Sequence, residues 1–165
     1  MVNHDSVTLV MPVYNEEKCI EKVLTEWRNQ LYDLKISFEL VVINDGSSDS
    51  TNIVLKKLSK NWPELHILNQ ENSGHGVAVK YGYIHSLSLK GNYIFQTDSD
   101  DQFTPKDFKV LWEIRHEAMS IFGIRKNRKD TITRRLISMA LKKVIYDLFE
   151  VEIPDANIPF RIFEK

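Results

Sequence analysis

At 165 residues the chain is long enough to bury a sizeable core in one domain, and its composition (42% hydrophobic, 27% charged, net charge −1) is that of a soluble globular protein. This balance excludes wholesale disorder and gives no reason to expect a nucleic-acid partner. A single cysteine, Cys19, excludes an intrachain disulfide framework and a cysteine-based zinc cluster. No signal peptide is apparent, and no apolar run approaches the ~20 residues a membrane-crossing helix needs. The expected location is cytoplasmic, with any membrane contact peripheral, at the inner face.

In chain order, Val7 to Val13 reads as a buried strand. Ile20, Val23, Leu24, Trp27 and Leu31 then recur at helical spacing and define one apolar face. Cys19 falls on that side, which predicts a buried structural thiol. Phe38 to Ile43 is a second strand, ending at the turn signal Asn44-Asp45-Gly46. Ser47, Ser48 and Asp49 offer caps for a helix over 50–60. A short strand over 65–68 precedes a helix over 74–89, and Tyr93 to Thr97 is the fourth strand. Thr104, Pro105 and Asp107 form a capping-box signal for the next helix. A fifth strand over 119–124 and an amphipathic helix over 132–149 complete a βαβαβαβαβα order. That alternation predicts an α/β fold with a mainly parallel central sheet and helices on both faces. From Arg125 to Lys143 eight basic residues face one acid, a net +7 on an otherwise acidic chain. Such a segment is either a solvated helix face or a surface for an anionic partner.

Ligands of open parallel sheets bind beyond the carboxyl ends of the strands. The polar segments there are 14–17, 44–49, 98–102 and the loop at Arg125. A Walker A loop is absent, and the glycine pattern at Gly74 and Gly76 finds Val79 in third place, so P-loop and dinucleotide readings fail. Asp98 and Asp100, two residues apart in a tight loop, suit one hard divalent cation, Mg2+ or Mn2+, with Gln102 as an added oxygen donor. The plain alternative is an acidic solvated turn. Asp45 is placed to accept from a base N–H or a ribose hydroxyl, or to form a turn. Tyr14 is placed to stack on a base, or to edge the core.

The segments VMPVYNEE, VVINDGSSDST, SGHGVAVKYG, TDSDDQFTP and FGIRKNRKD resemble, in this order, glycosyltransferase family 2. Within it the chain is most similar to the polyprenyl-phosphate branch, the dolichol-phosphate-mannose-synthase-like enzymes, whose D-x-D-x-Q-x-x-P, glycine-x-arginine and D-x-x-x-G-F-R segments DSDDQFTP, GIR and DANIPFR resemble. The resemblance implies a GT-A-type fold spanning residues 1–165 as one nucleotide-sugar-binding catalytic domain, C-terminally shortened relative to the family. It implies an inverting, metal-dependent transfer from a UDP- or GDP-sugar to a polyprenyl phosphate. Alternatives are a sugar hydroxyl acceptor in cell-surface polysaccharide synthesis, or nucleotide-sugar binding without turnover. By resemblance, Pro12, Tyr14, Glu16, Asp45 and Asp98 contact the nucleotide-sugar, and Asp98, Asp100 and Gln102 hold the metal. Asp98, Asp100 and Arg125 are the expected catalytic residues. Arg125, Arg128 and Arg161 are expected on the acceptor phosphate. Pro159 stands where the family usually has glycine, which puts the loop before Phe160 in question because proline fixes φ and lacks an N–H. The basic segment suggests an anionic membrane surface as a further partner.

Overall fold

The computed structural model describes residues 5–99, 104–123 and 158–165, and single positions at 139, 143, 146, 147 and 150. Strand β1 (Ser6–Val13) lies at the centre of the sheet, with seven of its eight residues buried. It pairs in parallel with β2 (Ser37–Asp45) on one side and β4 (Tyr93–Gln96) on the other, and β2 pairs with β3 (Leu65–Gln70). A strand covered on both faces loses its solvated side, so from Val7 on β1 is buried without alternation and apolar apart from Thr8. The order across the sheet is β3-β2-β1-β4-β6-β5. The chain therefore builds outward from β1 through β2 to β3, then crosses back to the far side of β1. The loops leaving β1 and β4 diverge there, and a crevice opens between them.

Helices α1 (Ile20–Asp33), α2 (Thr51–Ser59) and α4 (Pro105–Glu113) cover one face, and α3 (His75–Ser86) covers the other. The expected helical face is correct: Ile20, Val23, Leu24, Trp27 and Leu31 are all buried. Trp27 stands at the centre of an aromatic cluster, with ring centroids 5.2 Å from Phe95, 6.1 Å from Phe108 and 6.3 Å from Phe160. The second cluster is smaller, built from Val10, Val41, Ile43, Ala78 and Ile94. Gly82 lets α3 approach the sheet closely, since a Cβ there would stand 2.6 Å from both Ile43 and Val10.

Several local expectations are corrected. The fifth strand, β5, is only Ser120–Phe122, and its partner is a strand the sequence did not announce: β6 (Arg161–Glu164) runs antiparallel between β4 and β5. Four residues carry too little pattern to separate a strand from a loop. Burial of Phe160 and Ile162 against the main core is what holds them. Pro159 lies two residues before the first paired position, so its missing N–H costs the ladder nothing. Helix α2 starts at Thr51; of the three expected caps Asp49 serves, its Oδ1 accepting from the Thr51 N–H (3.0 Å), while Ser50 at the N-cap position makes no side-chain cap bond. At α4, Thr104 and Pro105 take their expected places, but no reciprocal capping box forms: the Thr104 hydroxyl donates to the Asp107 carboxylate at 2.9 Å. Cys19 is half-buried, its thiol 2.8 Å from Glu16 Oε2. The helix expected over 132–149 falls mostly outside the described residues; positions 139, 143, 146 and 147 are helical.

At the opposite end of the sheet from the crevice, Arg115 donates to Asp5 Oδ2 from Nε (2.9 Å) and Nη2 (2.6 Å), with its guanidinium 4.3 Å from the Trp112 ring. Both side chains are largely withdrawn from water, 16% and 9% exposed. His116 Nε2 lies 3.1 Å from the same oxygen. Removing one partner of such a pair strands the other, so Arg115→Met is expected to cost about 3 kcal/mol in urea denaturation. Asp5→Leu combined with Arg115→Met is expected to recover much of that loss, and a double variant no better than the single would refute the pairing account.

Candidate functional site

The loop leaving β1 is held open by the loop leaving β2. Asn15 takes a left-handed conformation (φ +56°), which asparagine tolerates better than most residues. Its N–H donates to Ser47 Oγ (3.0 Å), and its Oδ1 accepts from the Ser48 N–H (2.8 Å). The N–H of Glu16 reaches Thr51 Oγ1 (2.9 Å), and that of Glu17 reaches Asp49 Oδ2 (3.1 Å). Glu17 returns a bond, accepting from the Ser50 N–H at 2.8 Å. The polar run over 47–51 therefore does more than start a helix: it clamps residues 15–17. That leaves Tyr14 half-exposed at the rim of the crevice.

Asp45, the last residue of β2, is buried, and both carboxylate oxygens are engaged. Oδ1 accepts from Gln70 Nε2 (2.7 Å) and the Ser73 N–H (2.9 Å); Oδ2 accepts from the Gly74 N–H (2.9 Å). Burial pushes its pKa up, but the bonds from Ser73, Gln70 and Gly74 outweigh that, and the group lies below the usual carboxylate range. Asp45 thus folds the 70–74 segment onto the end of β2 while presenting a fixed negative charge.

Asp98 follows β4. Its Oδ1 pairs with His75 Nε2 at 2.9 Å, leaving Oδ2 without a protein partner among the described residues. The hydrogen bond to Asp98 raises the His75 pKa; burial opposes this, and the Asp98 charge adds to it. Because folding raises that pKa, the contact contributes stability below the ordinary value of 6.5 and loses it as pH climbs through the folded value. Wild type is expected to exceed His75→Gln in melting temperature at about pH 6, with the gap closing by about pH 9. A gap that widens with pH would show the imidazole to be neutral in this contact.

Behind Asp98, Gln96 is fully buried and pairs in register with Arg161 on β6. Its Oε1 accepts from Arg161 Nε (2.8 Å) and from the Tyr83 hydroxyl. Arginine has only donors, so it fixes which end of the amide faces it. One side of the guanidinium is thereby anchored, and among the described residues no hydrogen-bond partner holds its terminal nitrogens.

A cavity of about 430 Å³ opens at the β1–β4 crevice, lined by Pro12, Tyr14, Glu16, Asp45 and Asp98 together with Asn72, Gly74, His75 and Ser99. Five residues selected from sequence are thus brought together. Asp100, Gln102, Arg125 and Arg128 lie outside the described residues. His75 and Asn72 went unassigned, although 71–75 also follows the carboxyl end of a parallel strand and the same rule would have found them. The donor chemistry suits a hard cation, since Asp98 offers carboxylate oxygen at the cavity wall. No group of three or more metal-ligating side chains occurs among the described residues.

Residues 8–163 match the family described as Glycosyl transferase family 2. The chain belongs to glycosyltransferase family 2. It is 31% identical to a dolichyl-phosphate beta-glucosyltransferase of Trichomonas vaginalis, over 96% of this chain and 53% of that protein. It is 28% identical to an undecaprenyl-phosphate 4-deoxy-4-formamido-L-arabinose transferase of Shewanella sediminis, over 99% of this chain and 49% of that one. The chain spans about half the length of these family-2 relatives, both of them of the polyprenyl-phosphate branch that the motifs resemble. Among solved structures it superposes on a mannosyltransferase from Pyrobaculum calidifontis in complex with GDP-Man and Mn2+, with a TM-score of 0.68 at 21% identity, covering 99% of this chain and 45% of that one. The glucosyl-3-phosphoglycerate synthase of Mycobacterium tuberculosis, in complex with Mn2+ and UDP-glucose, gives 0.66 at 16% identity over 97% and 56%. The fold is of the GT-A type that family 2 adopts. No helix among the described residues is long and apolar enough to cross a membrane.

Proposed function

We propose that this chain carries the donor site of a sugar transferase that takes a UDP- or GDP-sugar and passes the sugar, with inversion, to a polyprenyl phosphate. The observation that carries this reading is a cavity that gathers Tyr14, Asp45, His75 and Asp98 where β1 and β4 part, with the anchored Arg161 on β6, the strand paired with β4. Tyr14 supplies an aromatic face for a base, and Asp45 an acceptor for its N–H. Asp98, joined by Asp100 and Gln102 of the same motif, would hold Mg2+ or Mn2+. When bound, such a cation neutralises the charge of the departing diphosphate.

The acceptor chemistry is economical in protein groups. A phosphate oxygen of the acceptor is already anionic and attacks the anomeric carbon from the side opposite the nucleotide. As the new carbon–oxygen bond forms, the bond to the diphosphate breaks and its electron pair leaves with the nucleoside diphosphate. No proton moves, so no general base is needed. Arg125, Arg128 and Arg161 would orient the two phosphate groups, because a guanidinium matches phosphate oxygens two at a time. The net +7 segment over 125–143 suits an anionic membrane surface, where a lipid-linked acceptor resides.

The test is calorimetric titration of nucleoside diphosphates and their sugars, with and without Mn2+, followed by transfer assays with undecaprenyl phosphate in anionic vesicles. Metal-dependent binding is expected, weakened at least about ten-fold by Asp98→Ala. Binding without transfer to any acceptor would favour a non-catalytic nucleotide-sugar-binding domain, and transfer only to a sugar hydroxyl would move the reading to polysaccharide synthesis. Absence of binding to a folded protein would overturn the donor site.

A further inference from the structure

Gln96 is a polar residue at a position that packing alone would give to a hydrophobe. It lies on β4 between β1, where its partner is Val10, and β6, and it is fully buried. Strand alternation puts it on the face of the sheet that carries Val10 and Ile94, under α3. Its Nε2 is buried with no hydrogen-bond partner. Such a donor weakens a fold, because it has left water without finding an acceptor.

The other end of the amide is fully used. Oε1 accepts from Arg161 Nε at 2.8 Å and from the Tyr83 hydroxyl. Burial pushes the pKa of the Tyr83 phenol above its ordinary value, so the hydroxyl keeps the proton it donates. A guanidinium has no acceptor, and turning the amide over would set Nε2 against the Arg161 N–H. The Tyr83 ring is held in turn edge-on to Phe163 of β6, with centroids 5.0 Å apart. One residue each from α3, β4 and β6 thus builds the arrangement, and Arg161 is gripped through Nε. Its charge reaches the crevice, where it opposes protonation of His75 on the cavity wall.

We infer that Gln96, locked by Tyr83, is a positioning residue for the transfer: it fixes the roll of the Arg161 guanidinium so that both terminal nitrogens meet one phosphate of the acceptor together. This rests on the reading that Arg161 meets that phosphate, and deepens it by assigning the residues that aim it. A free arginine side chain gives up many rotamers to meet a phosphate, whereas one already bound through Nε arrives in a set plane. A hydrophobe at position 96 would leave that ordering to the ligand. A carboxylate there would draw in a terminal nitrogen as well as Nε, the fork that arginine and carboxylate favour. The amide holds Nε without competing for the rest, and its orphaned Nε2 follows from that task.

The experiment is calorimetric titration of farnesyl phosphate, a short prenyl phosphate, into the intact chain and its Gln96→Met, Tyr83→Phe, Arg161→Met and Gln96→Met/Arg161→Met variants. UDP and GDP with Mn2+ are titrated in parallel. Wild type is expected to bind farnesyl phosphate, Gln96→Met at least about ten-fold more weakly and Tyr83→Phe about three-fold more weakly. The double variant is expected to match Arg161→Met, since Gln96 acts through the guanidinium, and nucleotide affinity is expected to hold throughout. A merely structural role would instead lower nucleotide affinity too and weaken the double variant further. Wild-type affinity in Gln96→Met, or its full loss repeated in the Arg161→Met background, overturns the positioning role and leaves Arg161 on the phosphate. Farnesyl phosphate binding absent from wild type, or untouched by Arg161→Met, overturns the role and the Arg161 reading together, while nucleotide binding reports separately on the donor site. Should Gln96→Met not fold, Tyr83→Phe decides, and an unchanged affinity there overturns the inference.

Discussion

Gly46→Ala is expected to destabilise the chain by about 2–3 kcal/mol and to weaken nucleoside diphosphate binding at the same time. Gly46 has φ +69°, where a Cβ costs about 1 kcal/mol or more before any neighbour is considered. The neighbour is then decisive. A Cβ at this position would stand 2.5 Å from the backbone nitrogen of Asn72 and 3.1 Å from its Cα. Backbone cannot rotate aside as a long side chain can, so the segment around Asn72 must move. That segment supplies Ser73 and Gly74, whose N–H groups are two of the three donors on Asp45. Strain at one glycine is therefore transmitted to the carboxylate at the cavity wall. Two other glycines separate the causes. Gly74 has φ +89° but open space around it, so alanine there tests backbone strain without the clash. Gly76 has neither a positive φ nor a neighbour within 4 Å, and alanine there is expected to be neutral or slightly stabilising. Urea denaturation and calorimetry on the three variants measure both effects. Gly46→Ala matching Gly76→Ala in stability would rule out the close approach.

Trp27→Ala is expected to cost about 3–5 kcal/mol, a large share of the stability of a chain this size. The indole is 1% exposed and is surrounded by Phe95 of β4, Phe108 of α4 and Phe160 before β6. These rings come from three elements that share no local sequence, so none can collapse into the cavity without dragging a strand or helix. Phe95 and Phe160 are next in sequence to Gln96 and Arg161, so this cluster packs on the opposite face of the sheet from that pair. Trp27→Phe keeps an aromatic ring and is expected to lose less than half as much. A midpoint shift with an unchanged denaturant slope would confirm a packing loss; a cost below about 1 kcal/mol would show that the site relaxes around the missing ring.

Much of the architecture is local in origin and was legible. The apolar spacing from Ile20 to Leu31 specified the buried face of α1, and the apolar run from Val7 to Val13 marked β1 as a buried strand. Parallel strands joined by helices place every strand-end loop at one edge. Tyr14, Asp45 and Asp98 could therefore be assigned to one site before any contact was known, and they line one cavity. The sequence by itself thus determined the first four strands and the four helices that alternate with them, the edge at which the chemistry collects and the family to which the motifs belong.

What only the tertiary structure decided involves partners far apart in the chain. The run over 47–51 looked like a helix start because Ser and Asp caps are local signals. Its work on residues 15–17 spans more than 30 positions and leaves no periodic trace. His75 meets Asp98 across 23 residues, and Arg161 meets Gln96 across 65, because β6 inserts antiparallel beside β4. Arg115 closes on Asp5 across 110. The bonds on Asp45 are of the same kind, since their donors, Gln70, Ser73 and Gly74, stand 25 to 29 positions along the chain. Periodicity and capping act over one helical turn or one strand, and they report which way a side chain faces. Which group it meets depends on the order of strands across the sheet, and that order is set by burying both of its faces at once.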